Sequence, residues 1–186
     1  MRTVLTIDEM RELSRALRDV FAFLSSLRGR VAAAAQIRNP QVPTALSESL
    51  AAHLLQSGSL LPQAIQVRCA RDGGDLEGEL PDGHTLSIEV KATGEAGRQR
   101  VTKKDLEADL LIWIDFGSYF VNPEVRQVSV VRMSHPGRYI TRVGEISYHD
   151  FLKACVRAEG QEIALREVDI QALFEEAPTS DQRQDA

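Results

Sequence analysis

The chain has 186 residues, 43% of them hydrophobic and 26% charged, as in an ordinary globular protein with one domain and a sizeable core. The formal net charge is −5, but the stretch from Glu175 onward holds four acids and one arginine, so overall charge neither requires nor forbids a nucleic-acid partner. Its two cysteines, Cys69 and Cys155, form no CxxC pair or Cys/His cluster of zinc spacing, and no apolar run reaches membrane-spanning length. A structural zinc site, a membrane anchor and a secretory leader are therefore not expected, and the two free thiols fit a cytoplasmic protein.

In chain order, Ile7, Met10, Leu13, Leu17, Val20, Phe21 and Leu24 recur at helical spacing, which predicts a helix over 7–36, either a helical layer or a dimer arm. Pro40 and Pro43 break it. A second helix is expected over 44–56, with Leu46, Leu50, Ala51, Leu54 and Leu55 as its apolar stripe and Glu48 at the stripe's edge, placed either to reach water or to line a cleft. Strands follow over 65–69 and 75–80, the latter preceded by the turn signal Asp72-Gly73-Gly74. Pro81-Asp82-Gly83-His84 reads as a hairpin turn returning through a strand over 85–92. Residues 109–116 are apolar on both faces and read as an internal strand, followed by another over 125–133 and a break at His135-Pro136-Gly137. Helices are expected over 147–158 and 167–174, and a tail without large apolar residues over 176–186. This order predicts an α/β fold, a mixed β-sheet flanked by helices, with an N-terminal helical segment over 1–38 and the catalytic core over 39–175.

The chemistry concentrates around Gly74-Asp75-Leu76 and Ser87-Ile88-Glu89-Val90-Lys91-Ala92-Thr93. Side chains alternate along a strand, so Glu89 and Lys91 share one face while Ile88 and Val90 face the core. The hairpin sets Asp75 on the neighbouring strand, with Glu77 and Glu79 on the same face. Two carboxylates supply hard oxygen ligands for magnesium, which keeps several waters and takes phosphate oxygens as well. The metal lowers the pKa of a bound water, and an adjacent ammonium orients that water or stabilises developing charge. The candidate metal ligands are thus Asp75, Glu89 and the backbone carbonyl of Val90, with Lys91 beside them.

These residues resemble the PD-(D/E)xK nuclease superfamily, and within it the small Type II restriction endonucleases. Asp75 opens the motif, with Gly74 in place of the proline, and Glu89-Val90-Lys91 is the ExK triplet. Asn39-Pro40 through Ser47-Glu48 is similar to the helix that in some of these enzymes contributes a further active-site glutamate, and Ala108 through Asp115 to the apolar strand after their catalytic hairpin. The resemblance spans residues 38–117. It implies a restriction-endonuclease-like core and Mg²⁺-dependent hydrolysis of double-stranded DNA at a short specific sequence to 5′-phosphate and 3′-hydroxyl ends. It also implies a homodimer and a cognate DNA methyltransferase as functional partner. Asp75, Glu89, Lys91 and Glu48 become the catalytic candidates, serving chemistry rather than folding. The alternatives are a structure-specific repair, junction-resolving or other defence nuclease of the same fold, and a non-catalytic DNA-binding or assembly module on that scaffold.

The segment 92–104 carries four cations, Arg98, Arg100, Lys103 and Lys104, against one acid, Glu95, with glycines between. It reads either as a mobile charged loop or as a DNA-contacting one, in which these cations and Thr93 meet phosphates or base edges. His53, His84, His135 and His149 are scattered, with no serine or cysteine nucleophile nearby in motif, and Trp113 and Tyr119 are expected in the core.

Overall fold

The computed structural model describes residues 4–70, 74–95, 97–158 and 162–175. Helix α1, Ile7–Arg30, opens on a capping box in which the Thr6 hydroxyl accepts from the Glu9 amide and the Glu9 carboxylate accepts from the Thr6 amide. It is shorter than its sequence suggests: Val31 leaves helical geometry, and Ala32–Gln36 tightens into a 3₁₀ turn. Met10 and Phe21 enter the main core, while the Arg18 guanidinium stacks 4.0 Å over the Tyr119 ring. Helix α2, Thr44–Gln56, has the expected bounds, set by Pro43 before it and the Ser57-Gly58 turn after it, where Gly58 takes φ +74°.

Strands β1 (Gln66–Cys69), β2 (Leu76–Glu79) and β3 (Thr85–Thr93) form an antiparallel meander. The β2–β3 turn has Pro81 and Asp82 at its centre; Gly83 follows at φ +85°, and the Asp82 side chain accepts from the His84 amide. The turn signal at 72–73 and the tail from 176 lie outside the described residues. Next come β4 (Arg98–Val101), α3 (Lys103–Glu107) and β5 (Leu110–Asp115), which pairs parallel to β3. Strand β6, Gln127–Ser134, then β7 (Gly144–Ser147), α4 (Tyr148–Cys155), β8 (Ile163–Asp169) and α5 (Ile170–Glu175) complete the described chain. The result is a mixed six-stranded sheet in the order β1-β2-β3-β5-β6-β8 and a small β4-β7 ribbon.

Three expectations need correction. Residues 92–104 are not an open loop: β3 runs on to Thr93, and β4 and α3 follow, because β4 finds its ladder partner in the distant β7. Residues 167–169 are strand rather than helix. Ala164, Leu165, Arg166 and Glu167 have good helix propensity, but pairing with β6 over Gln127–Met133 overrides it. Finally, Ser147 is the cap of α4, its hydroxyl accepting from the Asp150 amide, and that helix ends at Cys155.

Two apolar cores flank the sheet. One joins α1, α2 and α5 to Leu76, Ile88, Val90, Ile112 and Ile114; the other joins Leu111, Trp113, Val131 and Met133 to Phe151 of α4 and Ile146 of β7. Strand β5 feeds both, as expected for a strand apolar on both faces. Among the described residues no helix is long and apolar enough to cross a membrane.

Helix α3 is seated by close backbone contact. A Cβ added at Gly137 would lie 2.6 Å from the Leu106 carbonyl oxygen, which is backbone and cannot swing aside. Gly137→Ala is expected to cost about 1–3 kcal/mol of stability through this overpacking, read from the midpoint of urea unfolding at constant slope.

Candidate active site

The site forms where β2 begins beside β3. The pairing of Leu76 with Ile88 sets the preceding Asp75 against Glu89, which settles the register in favour of Asp75 over Glu77. Glu77 lies opposite Ser87 and forms an ion pair with Arg68 at 2.9 Å, and Glu79 lies opposite Thr85. Asp75 Oδ2 accepts the Val90 amide at 2.8 Å. The N–H and C=O of one strand residue point to the same neighbour, so the Val90 carbonyl is directed to the Asp75 side as well.

Ile88 and Val90 face the first core, so Glu89 and Lys91 emerge on the opposite face, beside Leu111 and Trp113 of β5. There α3 covers them, and the charges cross between the two elements. Lys91 Nζ meets Asp105 Oδ1 at 2.7 Å, and Lys104 Nζ meets Glu89 Oε1 at 2.8 Å. Glu89 is 4% exposed and Asp105 1%. The Asp105 carboxylate is doubly employed, since its other oxygen accepts the Thr102 amide and hydroxyl as the N-terminal cap of α3. Neither Asp105 nor the Lys104 pairing was anticipated from sequence. The Thr102-x-x-Asp105 spacing is a capping-box signature that could have placed the short helix, but nothing local points Asp105 at Lys91.

The electrostatics follow from this enclosure. Burial pushes the Glu89 carboxyl above its ordinary range, helped by the charges of Asp75 and Asp105 and opposed by Lys104. Burial acts on Asp105 in the same sense, but hydrogen bonds from Lys91 and Thr102 outweigh it and hold that carboxyl below its usual value. Partial desolvation of Lys104 is likewise outweighed by its bond to Glu89, so its ammonium is held above the usual lysine value.

Strand β3 is clamped to β5 at both ends of this site. The Ser87 amide and hydroxyl donate to Asp109 Oδ2 at 2.8 and 2.7 Å. The Thr93 hydroxyl donates to Asp115 Oδ1 at 2.8 Å and accepts from the Trp113 indole at 3.0 Å. Thr93, expected as a DNA contact, is therefore an interior residue, 2% exposed. Trp113 and Tyr119 pack in the cores as expected. Arg98 and Arg100 are exposed on β4, and Lys103 reaches Glu107 at 3.3 Å on the surface of α3. Glu48 is buried in α2, in the layer across the sheet from Lys91, and 5% exposed.

A cavity of about 310 Å³ opens beside the acids, bordered by Gly74, Ser87, Glu89, Lys104 and Glu107. The donor chemistry suits a hard divalent cation. Asp75 keeps Oδ1 beyond its bond to Val90, and Glu89 already holds an ammonium where a cation would sit. Among the described residues no three Asp, Glu, His or Cys side chains converge to hold a metal by themselves. Magnesium commonly takes one or two carboxylates and completes its shell with water and phosphate oxygens. Comparison with protein-family models, curated proteins and solved structures gives no match to this chain.

Lys91 has a structural role through its ion pair with the buried Asp105, which the expectation of a purely chemical role did not include. Lys91→Met would strand the buried Asp105 carboxylate, an expected loss of about 3–5 kcal/mol at neutral pH. Because the folded-state pKa of Asp105 is depressed, the stabilisation from this pair is present above the unfolded value and disappears as pH falls through the folded one. The gap between wild type and Lys91→Met should therefore close below about pH 4, and Lys91→Met/Asp105→Asn should recover much of the loss at pH 7 in thermal melts.

Proposed function

We propose that this protein is a magnesium-dependent DNA endonuclease of the PD-(D/E)xK type, and within it a Type II restriction enzyme acting as a homodimer on a short duplex sequence. The observation that carries the reading is the convergence of Asp75, Glu89 and Lys91 at one end of a clamped hairpin, beside a cavity with room for a phosphate. The supporting frame is a hairpin followed by a buried apolar strand, β5, pairing parallel to β3.

Asp75, Glu89 and the Val90 carbonyl would hold the cation, which supplies charge neutralisation at the phosphate and a water of lowered pKa. The chain's own residues do the positioning. An ammonium has three N–H donors, and Lys91 spends one on Asp105, leaving the others to orient a water or to meet charge developing on phosphate oxygens. The water oxygen bonds to phosphorus, the P–O bond to the 3′ oxygen breaks, and that oxygen takes a proton, giving 5′-phosphate and 3′-hydroxyl ends. Asp105 keeps the Lys91 ammonium in place throughout, and the exposed Arg98, Arg100 and Lys103 would supply contacts to the duplex backbone. A restriction enzyme further requires a DNA methyltransferase of the same specificity to protect its host.

Digestion of a sequenced plasmid with Mg²⁺ should give discrete fragments, whereas a smear or cleavage of branched DNA alone would reassign the activity to a structure-specific nuclease. Asp75→Asn, Glu89→Gln and Lys91→Met are each expected to lower the cleavage rate by at least about 100-fold, the scale of losing one preorganised charged group. Full activity in any folded variant would remove that residue from the mechanism.

A further inference from the structure

We infer that Lys104 is a resident counter-ion of Glu89 which a divalent cation must displace, and that the released ammonium then grips a phosphate in the adjoining cavity. This rests on the metal-dependent reading above.

The two ion pairs linking β3 to α3 differ in one decisive respect. In the Lys91–Asp105 pair both side chains are enclosed, so neither can leave without exposing the other. In the Lys104–Glu89 pair the carboxylate is enclosed but the lysine side chain is 50% exposed, on a flexible four-carbon stem. Lys104 can therefore move at little packing cost, while Glu89 cannot follow it.

Charge gives the reason to move. Asp75, Glu89 and Asp105 with Lys91 and Lys104 carry a net charge of −1 in the absence of metal. A divalent cation on Asp75 and Glu89 takes the cluster to +1 and faces the Lys104 ammonium across a single carboxylate. At contact distance like charges repel, and more strongly near a protein surface than in bulk water. The ammonium then has somewhere to go, because Lys104 and Glu89 border the same cavity of about 310 Å³. The other acids there are occupied: Glu107 by Lys103 and Glu77 by Arg68. A phosphate entering this cavity would offer Lys104 an anionic partner in place of Glu89. The same residue thus neutralises Glu89 before metal arrives and holds substrate afterwards, so metal and DNA binding favour one another.

Mn²⁺ binding to the full chain, measured by calorimetry on wild type, Lys104→Met and Glu89→Gln, tests this. Lys104→Met should bind Mn²⁺ about tenfold more tightly, corresponding to about 1.4 kcal/mol, and bind a duplex oligonucleotide several-fold more weakly when Ca²⁺ replaces Mg²⁺. Structural damage would weaken metal binding, so tightening is not an effect of misfolding. Lys104→Gln, which keeps a donor near Glu89, provides the second variant if Lys104→Met does not fold, and the same tightening is expected. Unchanged Mn²⁺ affinity in a folded Lys104 variant, with binding lost in Glu89→Gln, overturns the inference and leaves the metal site standing. Tighter Mn²⁺ binding with unchanged DNA affinity overturns the phosphate-gripping half. Wild type that binds no Mn²⁺, or Glu89→Gln that binds it normally, overturns the metal-dependent reading itself.

Discussion

Strand β3 cannot slide, and the rest of the molecule depends on that. It lies between β2 on one side and β5 on the other, with Ile88 and Val90 pressed into the first core. Ser87–Asp109 fastens its start to β5, and Thr93–Asp115, braced by the Trp113 indole, fastens its end. A slip of one residue would turn Glu89 and Lys91 into the first core and carry Ile88 and Val90 to the face beneath α3, leaving two buried charges without their partners. The two ionisable groups are thus held in place by their apolar neighbours in the strand.

The second organising feature is the crossed pairing of β3 with α3. A helix of five residues has little stability of its own, and this one is held from three directions: the Thr102–Asp105 capping box, the fit of Leu106 against Gly137, and the two ion pairs. Asp105 belongs to two of these at once. Its carboxylate caps the helix with one oxygen and anchors Lys91 with the other, so local secondary structure and site geometry share a single side chain. Burial of Glu89 beside Asp75 makes a cation favourable at that point, and Lys104 supplies one from within the chain.

Much of the frame was legible because its signals are local. Pro43 and Ser57-Gly58 bound α2 unambiguously, Pro81-Asp82-Gly83 specifies the hairpin, and the uniformly apolar run in β5 marks an internal strand. The candidate triad followed from the two-residue period of β3 and the hairpin register. The failures have a common cause. Strand β8 carries a helix-favouring sequence and is extended only because β6 offers it a ladder; β4 is a strand only because β7 lies beside it. Thr93 looked like the outward neighbour of Lys91, yet the face they share turns inward at Trp113 and Asp115.

What the sequence by itself determined is that an acid and a lysine two residues apart stand on one face of a strand returning from a tight turn, with a second acid on the strand before it. Backbone periodicity and the conformational preferences of Pro, Asp and Gly are enough for that, since they act over a few residues. Only the tertiary structure decided that the acid and the lysine of that one strand would each have an opposite charge from α3 across from it, one pair sealed and the other open to a cavity. Ion pairing and burial depend on which surfaces meet, and α3 lies against β3 where β4 pairs with β7 and Leu106 packs on Gly137.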